Sequence, residues 1–386
     1  MITSKPIKTD EKQLACDVLV VGAGIVGLWI ARLAVRAGHT VILLDSRSSG
    51  SGASGGLLGA LMPHMPERWN PKKQYQFEAL AGLADAVRAL EAETGMDCGY
   101  RRCGRLIPLA KPHHHELARQ RQAEVQHLWQ SADTGFEWRV LAAPQAADWP
   151  ARAAMPHGLV HETLAARVSP RLYLSALKAA VEAEATLLEG EGMVRWDPAS
   201  RHLTTSRGRT ICAETTILSA GHETFALLGA LLSRPAAEFG TAVKGQAALL
   251  QAGLSDDRPL LFHDGVYLVP HEAGLVAVGS TSETDFAEAR ATDARLDALI
   301  ERATALCPSI AGAQVVERWA GLRPKAIRRD PMIGAVPGKA GLLVATGGFK
   351  ITLGIAHAMA ASVLDFAGGG AGVSLPDSFR VENHLR

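Results

Sequence analysis

The chain has almost no net charge. Its 40 Lys and Arg nearly balance 39 Asp and Glu, giving a formal charge of +1 over 386 residues. That balance argues against a basic surface for nucleic acid and against an acidic interaction tail. Cysteine pairs are missing as well. Cys16, Cys98, Cys103, Cys212 and Cys307 are scattered and none forms a CxxC pair, so a zinc ribbon is not expected. A sparse, odd set of thiols fits a reducing compartment. Long apolar runs are also absent. Residues 18–21 are far too short to span a bilayer, and the other apolar stretches are broken by charges or glycines. Residues 1–14 are polar and lack the apolar core of a signal peptide. A cytoplasmic location without a membrane span is therefore expected. There is no internal repeat and no low-complexity tail. The run His113-His114-His115 lies on a polar segment and reads as surface, so no metal site is expected.

What is present is ample apolar material. With 47% hydrophobic residues the chain can bury two cores that share an interface. Val18-Leu19-Val20-Val21 reads as a central parallel strand, buried on both faces. Residues 25–37 show helical periodicity and stop at Gly38. Val41-Ile42-Leu43-Leu44 is a second buried strand, so 18–45 forms a compact βαβ unit. A long amphipathic helix is predicted over 72–94 and another helix over 170–185. Residues 100–109 and 158–168 have strand character. Residues 215–219 look like a return to the first sheet, and 243–279 is rich in strands. A helix over 291–306, a last apolar strand over 342–345 and a final helix near 355–364 follow.

Inside the βαβ unit, Gly22-x-Gly24-x-x-Gly27 follows a strand and opens a helix. The first glycine permits a tight turn, the second lets a pyrophosphate approach, and the third lets helix and strand pack closely. The helix N-terminus offers free N–H groups and a positive dipole end to phosphate. Asp45 ends the second strand and suits ribose hydroxyls. The fingerprint alone does not separate FAD from NAD, and an NAD-linked enzyme without flavin stays open. Two features favour FAD. The small-residue loop 50–56 directly follows the second strand, and the late turn Thr346-Gly347-Gly348-Phe349-Lys350 returns the chain end to the same site.

Seven motifs in a fixed order then carry a family resemblance. They are Val20-Val-Gly-Ala-Gly-Ile-Val-Gly27, Ser54-Gly-Gly-Leu-Leu-Gly-Ala60, Val243-Lys-Gly-Gln246, Phe262-His-Asp-Gly-Val-Tyr-Leu-Val-Pro270, Val278-Gly-Ser-Thr281, Trp319-Ala-Gly-Leu-Arg-Pro324 and Thr346-Gly-Gly348. Together they resemble the D-amino-acid-oxidase superfamily, and within it the bacterial glycine oxidases, over roughly residues 17–364. The resemblance implies an α/β chain with an α+β second domain: a Rossmann-like FAD-binding domain interleaved with a substrate domain on a mixed or antiparallel sheet. The expected division is 15–95, 155–225 and 318–370 for FAD, and 96–154 with 226–317 for substrate.

The resemblance also implies noncovalent FAD. Ile25 and Val26 would meet the pyrophosphate, Asp45 and Ser46 the adenosine ribose, and Val194 the adenine through its backbone. Gly55, Gly56 and Leu57 would line one side of the flavin ring. Gly348, Phe349, Lys350, Ile351 and Thr352 would contact its pyrimidine end. Arg47, Ser54, Ala220, Gly221 and Gly347 complete the expected cofactor set. Related sarcosine oxidases attach flavin through a cysteine just after the Gly-Leu-Arg-Pro-like region. Here residues 325–332 contain none, so no covalent bond is expected.

For the chemistry, the resemblance implies oxidation of a small amino acid by hydride transfer from Cα to flavin N5, with the imine hydrolysed and O2 reduced to H2O2. Arg323 matches the arginine that clamps the substrate carboxylate, a task its planar fork suits. Tyr267 matches a tyrosine that faces substrate. Phe262 stands where glycine oxidases carry a second tyrosine. Lys350 stands where they carry a second arginine, and it resembles the carboxylate-binding lysine of sarcosine oxidases. The segment 62–73 departs from glycine oxidase. It either covers the site, with His64, Arg68, Lys72 and Lys73 meeting a second acidic group, or is an exposed loop leading into a helix. The expected partners are a small carboxylate-bearing amine and O2 or another electron acceptor, with a homo-oligomer possible. A dehydrogenase of the same fold, acting on an amino or 2-hydroxy acid and passing electrons to a quinone or carrier, and a flavin subunit of a larger complex docking through Trp69 and Phe366 stay open.

Overall fold

The computed structural model describes residues 8–10, 12–370 and 375–386. The rest of the polar opening, residues 1–7 and 11, lies outside the described residues. The first sheet has nine strands. At its centre Gln13–Val21 pairs in parallel with Val41–Asp45 on one side and Thr210–Leu218 on the other. Thr186–Glu189 extends it beyond Val41–Asp45, and Leu342–Thr346 lies parallel to the upper part of Thr210–Leu218. Leu19, Val20 and residues 41–44 are fully buried. These strands are covered on both faces, which is why they read as unbroken apolar runs.

One helical layer covers this sheet. Ile25–Arg36 packs against Pro170–Glu184 and Thr352–Ala367, and Pro71–Thr94 packs against the latter two. Pro71–Thr94 starts where it does because the Asn70 side chain accepts the N–H groups of Lys72 and Lys73 and Pro71 needs no donor partner. It stops at Gly95, which takes a left-handed φ of 69°. Residues 349–367 are long and apolar enough to cross a bilayer, with mean hydropathy 1.3. In this fold they form an inner helix: Ile355, Ala356, Met359, Ala360 and Val363 are fully buried.

The second sheet has eight strands in the order Gln314–Ala326, Gly240–Gln251, Leu275–Gly279, Val266–Pro270, Leu260–His263, Arg105–Pro108, Leu159–Glu162 and Trp138–Leu141. Only Leu260–His263 with Arg105–Pro108 is parallel. One face packs on Ala294–Leu306 through Val278, Leu268, Leu296 and Ala303. The opposite face looks toward the first sheet.

Three expectations change. Leu159–Glu162 and Gln314–Ala326 hydrogen-bond in the second sheet. Residues 159–162 and 318–326, assigned above to the FAD part, thus belong with the substrate part by sheet membership. A helix, Pro112–Leu128, stands where no element was predicted. It buries only Ala118 and Val125, too narrow an apolar stripe to show as periodicity. Trp69 and Phe366 are not open docking residues. Trp69 packs edge-on to Phe77 at 6.1 Å and donates to Gln74. Phe366 is partly buried beneath the Arg380 guanidinium.

Candidate active site

A cavity of about 630 Å³ runs between the two sheets. Its first end is the glycine-rich turn. Gly22 has φ 110°, and a Cβ there would fall 2.5 Å from Ala220 Cα. At Gly27 a Cβ would collide with the Gly22 carbonyl, so this glycine is needed for helix–strand contact. Gly24 is different: a Cβ would meet only Ser54 Oγ, at 3.2 Å. The space over Gly24 therefore belongs to the cavity. Ile25 N–H donates to Ser54 Oγ at 3.0 Å, which ties the 50–56 loop to the helix start. Asp45 holds this end rigid. Its carboxylate accepts Ala23 N–H at 2.7 Å and Arg47 N–H at 2.8 Å. Burial nonetheless raises its pKa above the usual aspartate value. Arg47 pairs with Glu223 at 2.7 Å on the same rim.

The other end is one face of the second sheet. Residues paired across a sheet point to the same side, and side chains alternate along a strand. Arg105 pairs with Leu260, two residues from Phe262; Phe262 pairs with Tyr267, Tyr267 with Gly279, and Gly279 with Ala247. Ala247 pairs with Trp319, four residues before Arg323. Arg105, Phe262, Tyr267, Trp319 and Arg323 therefore share one face, and all five line the cavity. The Phe262 and Tyr267 rings lie 4.7 Å apart. Burial raises the Tyr267 pKa, while Arg105 and then Arg323 pull it down. The hydroxyl stays protonated at neutral pH. Arg323 donates to the Thr281 carbonyl at 3.2 Å. Its guanidinium lies on Gly245, where a Cβ would overlap it.

The 346–354 turn closes the cavity from the first sheet. Gly347 has φ 78° and Phe349 has φ 48°, a kink that turns Lys350 into the wall. Burial, and then Arg323, lower the Lys350 pKa. Residues 62–65 form part of the opposite wall. Gln76, buried in Pro71–Thr94, accepts His64 N–H at 2.8 Å and donates to the Met62 carbonyl at 3.0 Å.

Most of the expected residues meet here. Gly22, Gly24, Ile25, Val26, Asp45, Ser46, Arg47, Ser54, Gly56, Leu57, Ala220, Gly221 and residues 347–352 line the cavity with Tyr267, Phe262, Arg323 and His64. Four do not. Gly27 lies behind the turn. Gly55 faces away, close against the Gly50 carbonyl. Val194 is 67% exposed, and Gly192 and Met193 line that end in its place. Arg68 is exposed and off the wall. Two other cations of the 62–73 segment are engaged elsewhere: Lys72 pairs with Asp330 at 2.6 Å, and Lys73 donates to the Met65 carbonyl at 2.6 Å. Residues 62–65 line the cavity, and the remainder of the segment leads into Pro71–Thr94. The sequence reading missed Arg105, Gln76 and Trp319. Arg105 was masked in the sequence, where the predicted strand 100–109 also carries Arg101 and Arg102. Among the described residues no group of three His, Cys, Asp or Glu could hold a metal.

A glycine turn with its acid, set in a mainly parallel sheet across a long cavity from a second sheet, defines a dinucleotide-dependent enzyme. The model of the DAO family of FAD-dependent oxidoreductases matches residues 17–362, and the chain belongs to that family. It is 30% identical over 359 residues to a glycine oxidase of Pseudomonas aeruginosa, covering 91% of this chain and 94% of that one. In structure it is similar to glycine oxidase from Geobacillus kaustophilus, with a TM-score of 0.83 at 23% identity, covering 95% of this chain and 98% of that one. It is also similar to an iminodiacetate oxidase from Chelativorans, with a TM-score of 0.82 at 23% identity, covering 94% and 98%. At such identity these two likenesses speak for the fold and leave the substrate open. The protein is thus an FAD-dependent oxidoreductase acting on amino acids. The open space over Gly24, the N-terminus of Ile25–Arg36 facing the cavity and the rim carboxylate Asp45 fit FAD's pyrophosphate and ribose.

Proposed function

We propose that this protein oxidises the C–N bond of a small amino acid, such as glycine, an N-alkylglycine or a D-amino acid. FAD, held noncovalently, would accept the hydride from Cα and pass two electrons to O2, giving H2O2. The substrate loses a hydride and a proton, and water then splits the imine to an oxo acid and an amine. The observation that carries this reading is the meeting of Arg323, Tyr267 and Lys350 at one end of the cavity. Arg323 presents a fork for a carboxylate. Tyr267, neutral and half-buried, supplies a hydroxyl beside it. Lys350 adds positive charge from the side of the closing turn, where it would also favour electron-rich flavin. Positioning of Cα is then most of what the protein has to do.

The test is anaerobic mixing of the holoenzyme with glycine, N-methyl amino acids, D-amino acids and 2-hydroxy acids. The visible flavin absorption should bleach with at least one amine and with no hydroxy acid, and O2 should restore it with release of H2O2. Bleaching by hydroxy acids alone, or reoxidation that needs a quinone, would overturn the proposal.

A further inference from the structure

We propose that Arg105 is a second carboxylate anchor, so that the preferred substrate is an amine bearing two acidic groups. This rests on the amine-oxidising reading above and names its substrate class. Arg105 is only 3% exposed, yet it lines the cavity. Its strand, Arg105–Pro108, is otherwise apolar, and its one cross-strand ion pair leaves part of the guanidinium unused. Glu162 stands directly opposite in register, with Oε1 at 3.0 Å from Arg105 Nε. The other Glu162 oxygen accepts the N–H groups of Leu164 and Ala165. That carboxylate therefore sits beside Arg105 and offsets charge at the Nε edge of the guanidinium. Nη2 is buried and has no hydrogen-bond partner among the described residues. A buried donor left without a partner is costly and calls for an explanation.

The distribution of charge supplies one. The substrate end of the wall carries Arg105, Arg323 and Lys350. The acids lining the cavity, Asp45 and Glu223, stand at the nucleotide end and are bonded to backbone N–H groups and to Arg47. A single substrate carboxylate at Arg323 leaves Nη2 of Arg105 without an acceptor. In the sheet order the Tyr267 strand lies between those of Arg105 and Arg323, and Tyr267 feels both charges. A substrate centred on Tyr267 would thus have one guanidinium on each side. A second acid could be carried on the nitrogen, as in an N-carboxyalkyl amino acid, or on the side chain, as in a D-2-aminodicarboxylate. Either would place its oxygens on a fork that binds two at once.

The experiment uses the holoenzyme and two readouts. In the first, acetate, propionate, malonate, succinate and glutarate are titrated against the flavin spectrum, without turnover. At least one dicarboxylate should bind about tenfold tighter than the monocarboxylates, as one added charge-assisted contact implies. In Arg105→Met/Glu162→Gln, which removes the pair together and leaves no lone buried charge, that ratio should fall below about threefold. In the second, kcat/KM for iminodiacetate, D-aspartate and D-glutamate is compared with that for N-methylglycine and D-alanine. Preference for iminodiacetate places the second acid on nitrogen; preference for the D-amino acids places it on the side chain. Equal binding of mono- and dicarboxylates by the natural enzyme overturns the anchor, as does a double variant that weakens both classes alike. Should the double variant not fold, the ratio in the natural enzyme decides. If amines turn over without a dicarboxylate preference, only the anchor fails. If dicarboxylates bind selectively and no amine bleaches the flavin, only the amine-oxidising reading fails.

Discussion

Replacing Gly245 with Ala tests the Arg323 clamp without changing any charge. The Arg323 guanidinium lies directly over Gly245, and a Cβ there would come within 3.0 Å of Nη1, Nη2 and Cζ. Non-bonded heavy atoms settle at about 3.5 Å, so the guanidinium would have to move by roughly 1 Å or more. Gly245 has no left-handed φ, so Ala fits the strand backbone, and the obstructing atoms are the far end of a flexible side chain. The side chain should therefore give way while the sheet stays. A reactant misplaced by 1 Å can cost about 10²-fold in rate. A charge-assisted hydrogen bond is worth about 1.5–3 kcal/mol, or about 10–150-fold. We therefore expect Gly245→Ala to lower kcat/KM for the amine substrate by more than about tenfold, mostly through KM, with flavin content and melting temperature unchanged. Arg323→Leu, assayed alongside, should lose at least as much. If Gly245→Ala kept kcat/KM within about threefold of the natural enzyme while Arg323→Leu lost it, the guanidinium would not need its present position and the clamp geometry would be wrong.

Other perturbations follow from the same framework. Gly27→Ala would force Cβ into the Gly22 carbonyl; the purified protein should lose bound flavin, and an unchanged flavin-to-protein ratio would refute that packing role. For Lys350, with its depressed pKa, carboxylate binding favours the cation, so affinity should fall as pH rises through that pKa, below the usual value of about 10.4. Titration of an amine-free carboxylate against pH shows this, and Lys350→Met should abolish the fall. His357, on Thr352–Ala367, has its pKa pushed down to about 4 by burial. The folded form stays neutral while the unfolded chain takes a proton, so stability should drop by about 3 kcal/mol as pH falls from about 6.5 to about 4. Urea unfolding across that range should show the drop, and His357→Leu should reduce it.

The nucleotide half of the fold was readable because its signals are local. Val18-Leu19-Val20-Val21, the three glycines and Asp45 lie within one βαβ unit, and their spacing follows from backbone sterics. The return strands at 215–219 and 342–345 were visible because parallel strands buried on both faces stay apolar throughout. The second sheet was harder. Arg105 and Arg323 are 218 positions apart in the sequence, and only the register through Leu260, Phe262, Tyr267, Gly279, Ala247 and Trp319 puts them on one face. Period-2 alternation within one strand carries no information about which strand lies beside it. The family motifs supplied Arg323 and Tyr267. Arg105 lies in none of them, and its role emerges only from the ladder. Gln76 was hidden for a related reason, because a polar residue inside an amphipathic helix shows no sign of capturing a loop twelve positions away.

The gathering of Arg105, Arg323 and Lys350 at one cavity end also bears on stability. Like charges on a low-dielectric wall repel, and taking Arg105 and Arg323 from water costs several kcal/mol each unless it is compensated, while Lys350 keeps solvent contact. Glu162 compensates part of this for Arg105, and Arg323 has a carbonyl contact and Glu283 at longer range. For Lys350 the surrounding field is unfavourable, since both burial and Arg323 act against its charge. The fold carries this cost because the second sheet is tied down on its other face by Leu268, Val278 and the Ala294–Leu306 helix. A site built in this way is stabilised by the anions it binds, since a ligand that favours only the folded form shifts the folding equilibrium toward it. Specificity and stability are then coupled through the same atoms. A neutral ligand of equal size would fill the cavity and leave the cations repelling one another, whereas a carboxylate removes that repulsion and gains two oriented hydrogen bonds.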